Sequence, residues 1–133
     1  MIEFLKELIL LAVMRIPLLL LVAAFCGALV GLEREHSSKP AGLRTNMMIC
    51  LGSALFTIAS KISADQAGNP GDASRIAAQI VSGVGFIGAG AILREGSRVT
   101  GLTTAATIWL VAAIGIVVGL GLPILGMSVS IVS

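Results

Sequence analysis

The stretch IPLLLLVAAFCGALVGL, residues 16–32, carries no charge and is closed by Glu33-Arg34-Glu35. At 1.5 Å per residue a helix over it covers about 25 Å, close to the thickness of a bilayer's hydrocarbon core. Three further uncharged runs follow, Thr45–Ser60, Ile76–Leu93 and Val99–Ser133. Only 12% of the 133 residues are charged, the mean hydropathy is +1.03, and the net charge is +2. A soluble domain carries about 25% charged residues, because its surface must face water. These residues therefore predict an all-α, polytopic membrane helix bundle forming a single transmembrane domain over 1–133. With no basic stripe and no aromatic platform, nucleic acid is not a predicted partner. The predicted partner is the lipid bilayer.

Helices are expected at about 16–35, 43–60, 75–93, 102–118 and 123–133. Pro17 suits a first helical turn. Residues 2–14 either lie in the membrane interface or extend the next helix. Glu3 and Glu7 stand where a secretory signal would be positive, so this segment reads as retained. Turn residues mark 61–75, with Asp65, Asn69, Pro70, Gly71 and Asp72, and Asp72 or Ser74 could cap the third helix. Arg94, Glu95 and Arg98 form a short polar loop. Gly119, Gly121 and Pro123 break the last long run, and the element after them is too short to span alone.

The polar positions repeat. Arg34-Glu35 is followed by Lys39-Pro40-Ala41-Gly42-Leu43-Arg44-Thr45, and Arg94-Glu95 by Arg98-Val99-Thr100-Gly101-Leu102-Thr103-Thr104. Both read Arg-Glu, a short loop, then (Lys/Arg)-x-x-Gly-Leu-x-Thr. Helices one and two would then correspond to helices three and four in a parallel internal repeat. Both Arg-Glu loops fall on one face, before helix starts whose free N–H groups favour anions. The candidate binding residues are Glu33, Arg34, Glu35, Arg44, Arg94 and Glu95. The competing reading makes them interfacial salt bridges and anchors that snorkel to water. Whether a metal binds is open, and no cofactor is implied.

Gly83-Val84-Gly85-Phe86-Ile87-Gly88 matches the dinucleotide pattern G-x-G-x-x-G. It lacks the preceding strand and the acid about 20 residues on that the pattern requires. The membrane reading is helix packing, with Ala78, Ser82, Gly85 and Ala89 on one face and Gly88 beside it. Helix three would then be the central packing helix, broken by Gly85→Leu. Asn46 and Gln79 are expected to make hydrogen bonds between helices. Trp109 is expected in the core. Cys26 and Cys50 lack metal-ligand spacing and read as buried free thiols.

In the pieces Gly31-Leu32-Glu33-Arg34-Glu35, Ala41-Gly42-Leu43-Arg44-Thr45, Gly83-x-Gly85-Phe86-Ile87-Gly88-Ala89-Gly90 and Gly101-Leu102-Thr103-Thr104-Ala105-Ala106 with Trp109, the chain resembles the MgtC/SapB family. The resemblance covers about residues 16–120. It implies a bacterial inner-membrane protein with about five transmembrane helices. It also implies links to growth in low magnesium, acid stress and virulence. Some members are thought to restrain the membrane ATP synthase, and many carry a cytoplasmic C-terminal domain beyond the region that the resemblance covers.

Two functions compete. One is a membrane regulator acting through partner proteins. The other is a small dimeric transporter or ion-binding module with its site at the Arg-Glu loops. A site requires Glu33, Arg34, Arg44 and Arg94 to turn inward, whereas a regulator leaves them facing water or headgroups. An enzyme is not expected, since no nucleophile–base or metal-ligand set is visible and His36 is the lone histidine. The short helices favour a homo-oligomer, with a dimer preferred. Lys and Arg placement, five against four, puts the 33–45 and 94–101 loops in the cytoplasm.

Overall fold

A computed structural model describes residues 1–69 and 73–133, apart from the side chains of 2, 4, 5, 7–12 and 73. Pro70, Gly71 and Asp72, the expected turn and one candidate cap, lie outside the described residues. Five helices appear in order: α1 (Ile2–His36), α2 (Leu43–Gln66), α3 (Ala73–Gly90), α4 (Leu102–Gly119) and α5 (Pro123–Val132). Lipid offers no hydrogen-bonding partner to the backbone, so apolar runs of this length must fold as helices. Val13–His36, α2 and α4 are each long and apolar enough to cross a membrane.

The expected boundaries shift for local reasons. Residues 2–14 extend α1 without a break, so Pro17 sits inside the helix rather than in its first turn. It cannot donate to the carbonyl four residues earlier. Helix α2 runs past its apolar stretch to Gln66, and Ser74 falls inside the first turn of α3 rather than before it. The expected polar loop after α3 is an antiparallel hairpin, β1 (Leu93–Glu95) paired with β2 (Arg98–Thr100). Gly96, at φ +62°, supplies the left-handed residue that its two-residue turn needs.

Helix α2, not α3, is the central packing helix. It lies against α1, α3 and α4, while α5 packs against α1 and α4. Two Gly-x-x-x-Gly pairs make the close contacts. A Cβ on Gly27 would stand 2.6 Å from the Asn46 carbonyl oxygen, and one on Gly31 would stand 2.6 Å from Leu43 Cα. On α4, a Cβ on Gly115 would run into the Cys50 carbonyl, and one on Gly119 would stand 2.7 Å from that of Ala54. Backbones approach this closely only where side chains are absent. The partner order makes α1 antiparallel and α4 parallel to α2.

The face expected to pack on α3 is largely open within the chain. Ala78, Ser82, Gly85 and Ala89 are exposed, and a Cβ on Gly85 would meet nothing within 4 Å. Gly88 alone of the set is buried, and a Cβ there would stand 3.6 Å from Ala105 Cβ. Trp109 is 55% exposed rather than in the core. The inner face of α4 belongs to Ile108, Val111, Ala112, Ile114 and Val118, which leaves position 109 on the outer side.

The core joins Ala23, Cys26, Cys50, Ala54, Ile58, Val111, Ile114 and Val118. Both cysteines are buried and free. Leu21, Phe25, Met48, Phe56 and Phe86 are all more than half exposed, as a lipid-facing surface requires. Charges gather at the two ends. Arg15, Lys61 and Asp65 line a cleft beside Gly121 at one end. Arg34 and the hairpin lie at the other, 19 residues from Arg15 along α1, or about 28 Å.

The glycine contacts predict opposite results for similar changes. Gly27→Leu and Gly115→Leu should each cost about 3 kcal/mol through overpacking. Gly85→Leu should leave the fold intact and raise stability by under about 1 kcal/mol through helix propensity. Thermal unfolding of the three variants in dodecyl maltoside checks this, and an equal loss in all three would contradict the placement of α2.

Candidate functional site

The last turn of α1 presents three charges in succession. Successive helical side chains point about 100° apart, so one of the three can enter the bundle while its neighbours face outward. The one inside is Arg34, at 6% exposure. Its Nη2 donates to Thr104 Oγ1 at 2.8 Å and to the Pro40 carbonyl at 3.3 Å. Its buried Nε has no hydrogen-bond partner. No carboxylate lies within ion-pair distance of it among the described residues.

Arg34 lines a cleft of about 330 Å³ with Lys39, Pro40, Gly101, Thr103 and Thr104. The first turn of α4 forms one wall. Gly101, at φ +88°, precedes it, and a Cβ there would collide with the Ala91 carbonyl. The position therefore requires glycine. The first helical bond runs from Ala105 N–H to the Gly101 carbonyl at 2.9 Å, and no side chain caps the helix. The N–H groups of Leu102, Thr103 and Thr104 thus lack helical acceptors, and the positive end of the helix dipole adds to the arginine's charge. Among the described residues, no acidic side chain lines this cleft.

The other candidate residues do different work. Glu35 Oε2 accepts the Leu43 N–H at 3.0 Å and so caps α2, a favourable place for a carboxylate. Glu33 Oε1 accepts from Ser37 Oγ at 2.9 Å on the exposed side. Arg44 is exposed beside a separate cleft with Glu35 and Thr45. Arg94 Nε donates to the Gly96 carbonyl at 3.1 Å inside the hairpin turn, and Glu95 stands opposite Arg98 in the ladder. The six residues therefore share one end of the bundle without converging. Asn46 is fully buried but bonds the Ala41 and Gly42 carbonyls of its own loop through Nδ2, rather than another helix.

Lys39, Thr103 and Thr104 were not among the site residues expected from sequence. They stand within the two halves of the repeated motif, and that was the signal available. Both halves do start a helix at Gly-Leu, and α2 and α4 run in the same direction. Their connections differ, since one is a turn with Ser38 and Ala41 at positive φ and the other is the β1–β2 hairpin.

These roles separate in stability. Glu35→Ala should destabilise the protein by about 1 kcal/mol, as loss of a helix cap does. Arg44→Ala and Arg94→Ala should stay within about 0.5 kcal/mol of the parent, as surface changes do. Thermal unfolding in detergent resolves the difference, and a loss at Arg94 as large as that at Glu35 would place the hairpin in the structural core of the site.

Among known proteins, the family model described as the MgtC family matches residues 20–133. A protein named putative magnesium transporter YhiD, from Escherichia coli (strain K12), is 52% identical over 121 residues, covering 86% of this chain and 55% of that protein. Protein MgtC of Salmonella typhimurium (strain LT2) is 51% identical over 102 residues, 77% of this chain and 42% of that protein. Protein MgtC of Brucella abortus (strain 2308) is 49% identical over 102 residues, 75% and 40% respectively. The chain spans about half the length of these curated relatives. No solved structure matches it. The matched region takes in all four helices α2 to α5, the C-terminal half of α1 and the Arg34 cleft, and on that ground the chain belongs to the MgtC family.

Proposed function

We propose that this chain is the membrane-spanning part of a bacterial inner-membrane protein that serves adaptation to low magnesium or acid stress by acting on partner membrane proteins. The observation that carries this reading is the bundle interior. Ala23, Cys26, Cys50, Ala54, Val111 and Val118 fill it, and among the described residues its buried polar side chains are neutral apart from Arg34. Magnesium holds its waters tightly and is bound through carboxylates and other hard oxygens. Among the described residues no three His, Cys, Asp or Glu side chains gather to receive it. Glu33, Arg44 and Arg94 face outward, the disposition expected of a protein that meets partners rather than encloses an ion.

The lateral surface supports the same reading. An apolar groove of about 520 Å³ runs between α2 and α3, floored by Gly52 and Gly83, where an added Cβ would meet nothing within 4 Å. A surface of this kind suits contact between helices, in a homodimer or with another membrane protein. The membrane ATP synthase is the partner that family resemblance suggests. The chain is read as non-enzymatic. Arg34, Lys39, Arg44, Arg94 and Arg98 at one end favour that end as cytoplasmic.

A second reading, a small dimeric transporter, draws on the names of relatives and on the inward-turned Arg34. Purified protein in liposomes separates the two. The regulator reading expects magnesium uptake equal to that of protein-free liposomes in wild type, Glu33→Gln and Arg44→Ala alike. Saturable uptake that both substitutions abolish would overturn it and support transport.

A further inference from the structure

We propose that the Arg34 cleft is a binding site for a phosphate-class oxoanion, either a free phosphate or the phosphodiester of an anionic lipid headgroup. The inference rests on the geometry of the cleft and is independent of the regulator reading.

Three donors of different origin meet there. Arg34 is more than nine-tenths buried, lines the cleft, and keeps an unpartnered Nε. The uncapped first turn of α4 adds N–H groups and the partial positive charge of its dipole, about half an elementary charge. Lys39, on the exposed loop across the mouth, adds a full charge on a flexible stem. The Thr103 hydroxyl lies at the same helix start. A helix N-terminus beside a guanidinium is an anion-binding arrangement, because backbone N–H groups and a planar fork approach different oxygens of a tetrahedral anion.

Charge identifies the ligand class. The cleft holds two full positive charges and a helix end, with no carboxylate in its lining. A metal cation would be repelled, and a neutral solute would leave Arg34 uncompensated. The position matters as well. Arg34 sits about 28 Å along α1 from the charged cleft at the other end, which places it at headgroup level. Both a soluble phosphate and a lipid phosphodiester reach that level.

The test uses the whole chain, purified in dodecyl maltoside without phosphate or sulfate. In one arm inorganic phosphate is titrated calorimetrically against chloride at matched ionic strength. In the other, native mass spectrometry compares retention of phosphatidylglycerol with that of phosphatidylcholine. Wild type, Arg34→Gln, Lys39→Ala and the opposite-end control Lys61→Ala are compared. The expected result is binding of phosphate or selective retention of phosphatidylglycerol by wild type and Lys61→Ala. That binding weakens at least ten-fold in Arg34→Gln and Lys39→Ala. Phosphate binding alone identifies the free oxoanion, and phosphatidylglycerol retention alone identifies the headgroup. Because Lys39 is exposed, Lys39→Ala decides the matter even if Arg34→Gln does not fold. The proposal is overturned if wild type binds neither probe, or if Lys39→Ala binds as wild type does.

Discussion

Everything else in this bundle depends on the contact of α2 with two glycine pairs. Lipid tails are as apolar as the side chains facing them, so burial of apolar surface cannot hold these helices together as it would in water. Association must come from dispersion at short range and from backbones that can approach. Gly27 and Gly31 from α1 and Gly115 and Gly119 from α4 provide that on two sides of one helix. The face of α2 between them is built of small residues, Cys50, Ser53, Ala54 and Thr57. The Thr57 hydroxyl on it is satisfied locally, donating through Oγ1 to the Ser53 carbonyl at 2.7 Å. A hydroxyl bonded within its own helix costs little in lipid and leaves the neighbouring backbone free to close in.

That packing sets the geometry at the charged end. With α1 and α4 both pressed onto α2, the last turn of α1 and the first turn of α4 become neighbours. Arg34 then reaches Thr104, 70 positions on in the chain, and bridges two helices that the sequence separates by two others. Glu35 holds the start of α2 in place, and Gly101 turns the chain between the hairpin and α4 close against the Ala91 carbonyl. The site is a consequence of helix spacing more than of the loops that decorate it.

Much of this was legible in sequence, and the failures share a cause. Uncharged runs ending in charges mark helices that a bilayer obliges to form, so the existence and order of the five elements followed directly. What a sequence does not specify is the rotation of each helix about its axis. The glycines at 83, 85 and 88 are denser, yet the pairs at 27/31 and 115/119 have the spacing that packs. Trp109 was expected inside for want of that same rotational phase. At the site, Arg34 and Arg94 hold the same place in the repeated motif, and the rotation of α1 turns only Arg34 inward. The β1–β2 hairpin is not legible in sequence because three-residue strands show no usable alternation.

Arg34 remains the residue hardest to justify on stability. A buried guanidinium without a carboxylate bears a desolvation cost that two hydrogen bonds to neutral oxygens offset only in part. The adjacent helix N-terminus makes the local potential more positive still. An apolar side chain at this position would fill the space at lower cost. A fold selected for stability alone has no use for this arrangement. A fold that must hold a negative group at the headgroup level needs a fixed cation there, and the expense of keeping it unpaired is then the source of its affinity.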